Sequence, residues 1–412
     1  MPHNRYNGYE AYQYLDEDDD YKTFSLPDEL HNGEPYQVPL DEDEEVRAQQ
    51  LGEECTIVSF HEHPFYFPLE TDEIAEYFNE GRVHTSYEGL AESNLDAVFD
   101  HLINDYGTVR SPNGWQWDDT IYDLGHRLCD LAHQDCVIRC ESVDDIRYAH
   151  EEDLVSLVPA VEGAGMIENE LDRIDILYGL GIRMMGLAFD YSNYVASGIL
   201  ENDSEKDGGL TAFGEEAIKR MNKVGMAIDL CHSTDQTALD VCAVSDKPVF
   251  FNHAGARELW STNRMKSDEC MKAVADTGGV IGITAAPPNI TSSKRDDHTI
   301  DAIMDHFEYI VDLVGIEHVA FGPDLLYGDD DSVYPAYFPD KEGDRKVETI
   351  YNSPKEGHGF STVSDMGAPK GMENPTEAWE NIVRWLVKNG YSDEEIEMVL
   401  GENILTALEK VW

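Results

Sequence analysis

Short apolar runs recur along the chain, and each ends abruptly in polar or charged residues. Their length and their β-branched and aromatic content are typical of strands buried in a parallel sheet. Helix-length segments with polar–apolar periodicity, such as 214–223 and 267–276, separate most of the runs. The predicted strands are Cys55 to His61, Leu95 to His101, Ser156 to Glu162, Ile182 to Phe189, Met226 to His232, Pro248 to His253, Gly279 to Ala285 and His318 to Asp324. Eight β-then-α units in succession predict an α/β fold, a (β/α)8 barrel of the TIM type.

The chain extends beyond these units at both ends. Residues 1–54 are acidic, rich in tyrosine and poor in aliphatic side chains, so we predict an N-terminal extension distinct from a barrel domain over residues 55–412. The acidic run at residues 16–20 is a solvated stretch by default, whereas the tyrosines indicate that parts of the extension pack against the barrel or against a neighbouring subunit, and the sequence leaves these alternatives open. Residues 376–388 and 392–411 are predicted C-terminal helices, the second opening with a Ser392-x-x-Glu395 capping box.

Histidines and carboxylates stand at the carboxyl ends of the predicted strands, where barrel enzymes keep their active sites. His61 and His63 alternate at one strand end, so both side chains leave the strand on the same face. Four histidines and two acids at this level of a barrel are enough ligands for two divalent ions, with a carboxylate to bridge them. The six residues are His61, His63, Glu162, His232, His253 and Asp324.

Each of these residues has a plainer interpretation when it is taken alone. A single histidine at a strand end is more often a loop residue that bonds to the backbone, and Glu162-Gly163 by itself is most simply a turn. The shared position of all six favours a metal site, because a solvated surface does not predict that they stand at the same level.

Six motifs follow one another in a fixed order along the chain. They are His61-x-His63, Val161-Glu162-Gly163, Ile228-Asp229-Leu230-Cys231-His232, His253, Asn263-Arg264 and Phe321-Gly322-Pro323-Asp324. This ordered set resembles the membrane dipeptidase (renal dipeptidase) family of zinc peptidases. The intervals of 21 residues from His232 to His253 and of 11 more to Arg264 also fit the family, and the resemblance runs from about residue 55 to residue 412.

The resemblance implies a binuclear zinc site. His61 and His63 would hold one ion and His232 and His253 the other, while Glu162 would bridge the two. The resemblance implies two catalytic residues. They are Asp324, as the acid/base group, and the bridging Glu162. Arg264 would bind the terminal carboxylate of the substrate, and a guanidinium fork suits that group. Two neighbouring ions acidify a shared water and polarise the scissile carbonyl.

Two positions depart from the family pattern. His63 stands where the family usually has an aspartate, so the site loses a negative ligand and favours a different metal or occupancy. Phe189 stands where the family has a histidine that stabilises the substrate carbonyl oxygen, and a phenyl ring cannot donate that hydrogen bond. Either a neighbour takes this role, from Asp190, Tyr191 and Asn193, or the substrate differs from an ordinary dipeptide. We therefore add Phe189 and Asn193 to the predicted substrate-binding residues.

The balance of charge adds an expectation about the environment. There are 84 acidic and 29 basic residues, a formal net charge of −55, and the acids are spread along nearly the whole chain. Self-repulsion at this density opposes a compact state, and molar salt screens it. The composition resembles that of salt-adapted, haloarchaea-like cytosolic proteins, so we expect a halophilic, cytoplasmic protein. An acidic surface that attracts cations as part of its function is the alternative.

Composition also excludes some partners. No basic stripe is present to meet phosphates, which argues against nucleic-acid binding. No apolar segment is long enough to span a bilayer, and the first residues have no apolar signal core, so we expect no membrane partner. The expected partner is a small molecule or a dipeptide as substrate.

Three functions follow from these observations. The preferred one is a zinc dipeptidase that cleaves the amide bond of a dipeptide, or of a similar small substrate with a free carboxylate, by metal-activated hydroxide. An amidohydrolase-like enzyme that acts on a non-dipeptide amide or a lactone is the second, supported by His63 and Phe189. A catalytically silent binding barrel is the third. Asp324 and Arg264 argue against it, because a silent barrel has no physical need for an acid/base carboxylate beside a carboxylate clamp.

Overall fold

A ring of parallel strands forms the centre of the protein in the computed structural model. The structure describes residues 6–30, 35–102, 116–202, 205–286, 290–295, 297–328 and 367–412. Its strands are β1 (Val58–Glu62), β2 (Ala97–Leu102), β3 (Val137–Arg139), β4 (Val155–Val161), β5 (Met184–Gly186), β6 (Ala227–Asp229), β7 (Phe251–Ala254), β8 (Ile281–Ile283) and β9 (Val319–Phe321). All the described strand pairs are parallel, as the long apolar runs predict.

Two arcs of hydrogen-bonded strands make up the ring. The first runs in the order β1-β2-β4-β5-β6, and the second is β7-β8-β9. At one seam, Leu230 N donates to Phe250 O and Phe250 N donates to Ile228 O, both at 2.9 Å. At the other seam, Asp324 N donates to His61 O at 3.1 Å. These bonds join the arcs into an eight-stranded ring, and the predicted (β/α)8 barrel is confirmed.

Strand β3 is missing from the sequence prediction. It pairs with residues 155–157 of β4, whereas β5 pairs with residues 160–161. It therefore covers the part of β4 that β5 leaves without a partner. Only the first of its three residues is buried, so no apolar run marks it in the sequence.

Helices follow most of the strands, and one nearly continuous helical segment closes the chain. The described helices are α1 (Glu42–Glu54), α2 (Ile74–Glu80), α3 (Tyr87–Glu92), α4 (Trp117–Leu131), α5 (Val143–Glu152), α6 (Asp172–Gly179), α7 (Ala212–Val224), α8 (Asp235–Val244), α9 (Asp268–Asp276), α10 (Ile300–Val314), α11 (Pro375–Lys388), α12 (Asp393–Glu397) and α13 (Asn403–Leu408), with a π-helical turn at Met398–Glu402 and 3-10 turns at Thr71–Glu73, Gly165–Ile167, Ile199–Glu201 and Ile316–His318. Across the described part of the chain, no helix combines the length and the apolar character needed to cross a membrane.

Side-chain caps set where several helices begin. The side chains of Thr211, Thr234 and Ser267 accept hydrogen bonds from backbone N–H groups three residues on, and they start α7, α8 and α9. These three helices follow β5, β6 and β7, so the caps limit the loops at the carboxyl ends of those strands. Ser392 and Glu395 form the predicted capping box at the start of α12.

Residues 6–30 pack against their own barrel. Tyr9 and Tyr12 are buried, and Tyr9 Oη and the Tyr12 backbone N both donate to Oδ1 of Asp130, at 2.8 and 2.7 Å. Helix α1 is tied to α11 by Arg384, whose Nη2 lies 2.8 Å from Oε2 of Glu45. Of the two packing arrangements that the sequence leaves open, the structure shows packing on the barrel. The division of the chain at residues 54 and 55 stays a prediction.

Two glycines bring the strands of the second arc close together. A Cβ at Gly282 would lie 2.1 Å from the carbonyl oxygen of Asn252, and one at Gly322 would lie 2.0 Å from the same atom. Any side chain at these positions would displace the backbone beside His253. The glycines therefore allow the close strand approach that places the carboxyl end of β7 in the ring.

Candidate metal centre

Six buried side chains converge at the carboxyl ends of the strands. They form three groups whose ligand atoms lie within 4.8 Å of one another. The groups are His61, His63 and Glu162; His61, His253 and Asp324; and Glu162, His232 and His253. His61, Glu162 and His253 each belong to two of these groups, so the structure brings all six predicted residues into one continuous cluster.

The carboxylate of Glu162 faces histidines on two sides. Its Oε1 lies 3.6 Å from His61 Nε2 and 3.4 Å from His63 Nε2. Its Oε2 lies 3.4 Å from His232 Nε2. One oxygen therefore serves each half of the cluster, which is the arrangement that a bridging carboxylate requires.

Asp324, in the turn after β9, also faces both halves of the cluster. Its Oδ1 lies 3.4 Å from His61 Nε2 and 3.2 Å from His63 Nε2, and its Oδ2 lies 3.9 Å from His253 Nε2. Its backbone has a φ of 64°, in the left-handed region that few residues other than glycine adopt. The turn directly after β9 thus aims this carboxylate back over the ring.

The electrostatics of the cluster call for positive charge between the carboxylates. Burial by itself raises the pKa of Asp324, but the histidines His61 and His63 outweigh it and hold that pKa far below its usual range. Burial lowers the pKa of His61, but Asp324 and Glu162 outweigh it and raise that pKa to about 10. The buried acids thus retain a proton on a histidine to balance their charge, and a divalent cation would supply the same charge.

Two further features fit a metal ion. Nε2 of His232 and Nε2 of His253 face each other at 3.0 Å, while the Nδ1 atom of each ring contacts a side-chain oxygen, of Asp190 and of Asn252. A neutral imidazole whose Nδ1 donates has only a lone pair at Nε2, so two such nitrogens repel unless a cation lies between them. In addition, Nε2 of His61 and Oε1 of Glu162 are buried without a hydrogen bond to any described residue.

Arg264 and Phe189 lie on the His232 side of the cluster. Arg264 is fully buried, and its Nη2 lies 3.4 Å from His232 Nε2. The Phe189 ring stacks on the His232 ring with 4.4 Å between centroids, and Phe189 is half-buried. A buried cation and an apolar wall thus stand beside the same histidine, and the roles of Arg264 and Phe189 in substrate binding stay predictions.

Asn193 is engaged within its own loop. Its Nδ2 donates to Leu187 O at 2.8 Å, and its Oδ1 accepts from the N–H groups of Val195 and Ala196 at 2.8 and 3.2 Å. These contacts hold the loop between β5 and α7. The structure does not bring the Asn193 amide to the cluster, and its role in substrate binding stays a prediction.

Sequence reasoning overlooked two residues at the centre. His101 stacks on His61 with 3.8 Å between ring centroids, and Asn252 contacts His253. His101 carried a usable signal, because it is the last residue of the second predicted strand and stands at the level of the other strand-end histidines. Asn252 carried none, since it directly precedes His253 and neighbouring side chains of a strand point to opposite faces of the sheet.

The barrel and its cluster of buried histidines and carboxylates define the class, a metal-dependent hydrolase with its centre at the carboxyl ends of the strands. Within this class the chain belongs to the membrane dipeptidase family, peptidase family M19, whose family model matches residues 45–333. The family resemblance drawn from the motifs is therefore confirmed, and the protein is a metallo-dipeptidase-like hydrolase.

Relatives cover nearly the whole chain. An uncharacterised dipeptidase of Schizosaccharomyces pombe is 25% identical over 399 residues, 91% of this chain and 85% of that protein. The structure of an amidohydrolase from Pseudomonas aeruginosa superposes with a TM-score of 0.69 at 24% identity, covering 89% of this chain and 99% of that one. The structure of a metallopeptidase from Rhodobacter sphaeroides, liganded with a phosphinate mimic of the dipeptide L-Ala-D-Ala, superposes with a TM-score of 0.65 at 16% identity. It covers 87% of this chain and 99% of that one. At these identities the two structures show the fold.

Proposed function

We propose that this protein is a dipeptidase that uses two zinc ions to hydrolyse the amide bond of a dipeptide, or of a similar small substrate with a free carboxylate. The observation that carries the proposal is the position of Glu162, whose two oxygens lie 3.4 Å from His63 on one side and 3.4 Å from His232 on the other. Membership of a peptidase family supports the reaction class and argues against a catalytically silent barrel.

The proposed ligands divide into two sets that share one carboxylate. His61 and His63 would hold one ion, His232 and His253 would hold the other, and Glu162 would contribute to both. When bound, two ions of this kind acidify water and polarise a carbonyl group. The nitrogen and carboxylate donors suit zinc, which binds both types of ligand.

Asp324 is the proposed acid/base residue. Its two oxygens face His63 and His253, so the carboxylate lies over both halves of the centre. From there it can accept a proton from the attacking water and deliver it to the leaving amine nitrogen. A carboxylate in this position carries one proton across the reaction and needs no second group for the return step.

Arg264 is the proposed clamp for the substrate carboxylate. Its guanidinium is buried beside His232, so a substrate carboxylate bound to it places the adjacent amide bond over the centre. Arginine suits this task because its fork matches both oxygens of a carboxylate and keeps its charge when buried.

Phe189 favours a second candidate, an amidohydrolase that acts on a non-dipeptide amide or a lactone. Its ring stacks on His232 where the family pattern has a hydrogen-bond donor, so this wall of the site is apolar. The neighbouring Asp190 contacts His232 Nδ1 at 2.9 Å, and an ionised carboxylate cannot donate to a substrate carbonyl. A substrate that fills this space with an apolar group would benefit from the phenyl ring.

The acidic composition supports a salt-adapted enzyme of the cytoplasm. The formal net charge is −55, and salt at molar concentration screens the repulsion between the acidic side chains and so stabilises the fold. A homodimer remains a prediction alongside it.

Metal analysis and a substrate panel test the proposed function together. Protein purified in molar KCl and loaded with zinc should carry two equivalents of zinc and hydrolyse simple dipeptides faster than lactones or N-capped amides. Zinc at two equivalents with lactone or capped-amide turnover alone would favour the second candidate. Protein that binds no divalent metal and hydrolyses none of these substrates would contradict both.

A further inference from the structure

A chain of hydrogen bonds leads across the barrel to one histidine of the metal centre. It starts at the carbonyl oxygen of Phe99, passes through His101 and Asn252, and ends at His253. His101 lies in β2 (Ala97–Leu102) and Asn252 in β7 (Phe251–Ala254), four places apart around the ring of eight strands. The side chains of His101, Asn252 and His253 are all fully buried. Water therefore does not compete for these bonds.

The first bond assigns the proton of His101. Its Nδ1 lies 3.0 Å from Phe99 O, and a backbone carbonyl oxygen only accepts, so Nδ1 donates. Its Nε2 faces the amide nitrogen of Asn252, which only donates, so Nε2 is the acceptor in that bond.

Met184 fixes the orientation of the Asn252 amide, because a thioether sulfur only accepts. Nδ2 of Asn252 lies 2.8 Å from His101 Nε2 and 3.4 Å from Met184 Sδ, and both of these atoms accept. The amide oxygen Oδ1 consequently faces Nδ1 of His253. An amide oxygen only accepts, so Nδ1 of His253 donates and its Nε2 keeps a lone pair. That Nε2 is the atom that points at the metal centre, 3.0 Å from His232 Nε2.

We propose that His101 and Asn252 are positioning residues that set the tautomer of His253 and hold its Nε2 ready to bind metal. The inference rests on the proposed function and adds two residues that contact neither substrate nor ion. Partners of this kind orient a ligating histidine and raise its basicity, and their loss typically lowers metal affinity about 10–100-fold. The stacking of His101 on His61 suggests a competing role, simple packing, which the experiment has to separate.

Two replacements of His101 separate hydrogen bonding from packing. His101→Gln keeps an acceptor for Nδ2 of Asn252 but loses the ring against His61, whereas His101→Phe keeps a ring and loses the acceptor. Zinc affinity is measured by chelator competition in molar KCl. We expect His101→Phe to weaken it by about 10–100-fold and His101→Gln by a few-fold at most. The opposite order would show that the ring acts by packing and would overturn the proposal.

A double variant tests whether the two residues act as one chain. Asn252→Leu should weaken zinc binding about as much as His101→Phe, and the two changes together should cost no more than the larger single loss, because either one breaks the chain. If the double variant lost zinc affinity by the product of the two single losses, the residues would act independently, and the proposal would be overturned. Asn381→Leu is the matched control, since Asn381 is equally buried and bonds to the backbone of Val38, Tyr36 and Gly371, away from the centre. It should retain the zinc affinity of the parent.

Wild-type protein gives an answer even where a variant fails to fold. Neutron diffraction from deuterium-exchanged, zinc-free crystals locates the proton on each ring. We expect deuterium on Nδ1 of both His101 and His253 and none on Nε2 of His101. Deuterium on Nε2 of His101, or its absence from Nδ1 of His253, would overturn the proposal. Because this measurement involves no metal, its outcome is distinct from a failure of the wild-type protein to bind zinc, which would refute the proposed function instead.

Discussion

Nδ1 of His232 lies 2.9 Å from Oδ1 of Asp190, a residue 42 positions earlier in the chain. An ionised carboxylate only accepts, so the contact makes Nδ1 the protonated nitrogen and leaves Nε2 for a metal ion. Asp190 has a φ of 47°, a conformation that residues other than glycine rarely adopt. Such strain persists where the surrounding structure over-determines it, and it concentrates at functional sites. The contact and the strain together identify Asp190 as the residue that orients His232.

Replacing Asp190 should weaken the binding of zinc. Asp190→Ala removes the acceptor for His232 Nδ1, and we expect a loss of about 10–100-fold in zinc affinity, measured by chelator competition. Asp190→Asn keeps a carbonyl oxygen and tolerates the positive φ, so its loss should be smaller. The control is Asp305→Ala, because that buried carboxylate bonds to Ser292 and Arg295 at 2.6 and 2.9 Å. Equal losses in the two alanine variants would contradict the orienting role.

Removing the carboxylate of Asp324 should separate chemistry from metal binding. Asp324→Asn preserves the size of the side chain but removes the group that accepts and returns the proton. We expect kcat to fall by about two to four orders of magnitude while zinc content, measured by elemental analysis, is unchanged. A variant with parental kcat would show that another group moves the proton.

Changing Arg264 should affect substrate binding more than turnover. Arg264→Lys keeps the charge but cannot reproduce the two-pronged contact with a carboxylate, so KM should rise with little change in kcat. Arg257→Lys is a matched control, since Arg257 makes a comparable fork with Asp235, at 2.6 and 2.8 Å. If both variants raise KM equally, Arg264 is not the specific clamp.

Restoring a donor at position 189 distinguishes the two candidate functions. If the protein is a dipeptidase, Phe189→His adds a hydrogen bond to the developing oxyanion and should increase turnover of simple L-dipeptides. The hydrogen bond should lower the activation free energy by about 3 kcal/mol at most. If Phe189 instead forms an apolar pocket for another substrate, the same change buries a poorly paired imidazole and should depress the native activity. Kinetics of parent and variant on a panel of dipeptides, amides and lactones decide between these outcomes.

Stability should depend steeply on salt. With a formal net charge of −55, repulsion between acidic side chains opposes folding at low ionic strength, and at 1 M salt the Debye length falls to about 3 Å. We expect Tm, measured by calorimetry, to rise strongly between low salt and molar KCl. A Tm that is flat over this range would mean that the acidic composition has a different cause.

Much of the fold and of the metal centre was already decided by local features of the sequence. Apolar periodicity marks eight of the nine described strands, and a residue at the end of such a run must stand at the carboxyl edge of a parallel sheet. His61, Glu162 and Asp324 were therefore identifiable as neighbours without any knowledge of the contacts between them. Strand β3 was not predicted, because only one of its three residues is buried. Its pairing with β4, and not an apolar run, makes it a strand.

The partners of those strand-end residues were decided only by the tertiary structure. Asp190 is next to Phe189 in sequence and was considered for contact with substrate, yet it bonds to His232; Asn252 bonds to His101, 151 residues away. A hydrogen bond is set by the approach and orientation of two groups to within fractions of an ångström, and closure of the barrel brings residues from opposite strands together. The sequence by itself determined which groups reach the centre, and the folded ring determined which nitrogen of His232 and of His253 is left to bind metal.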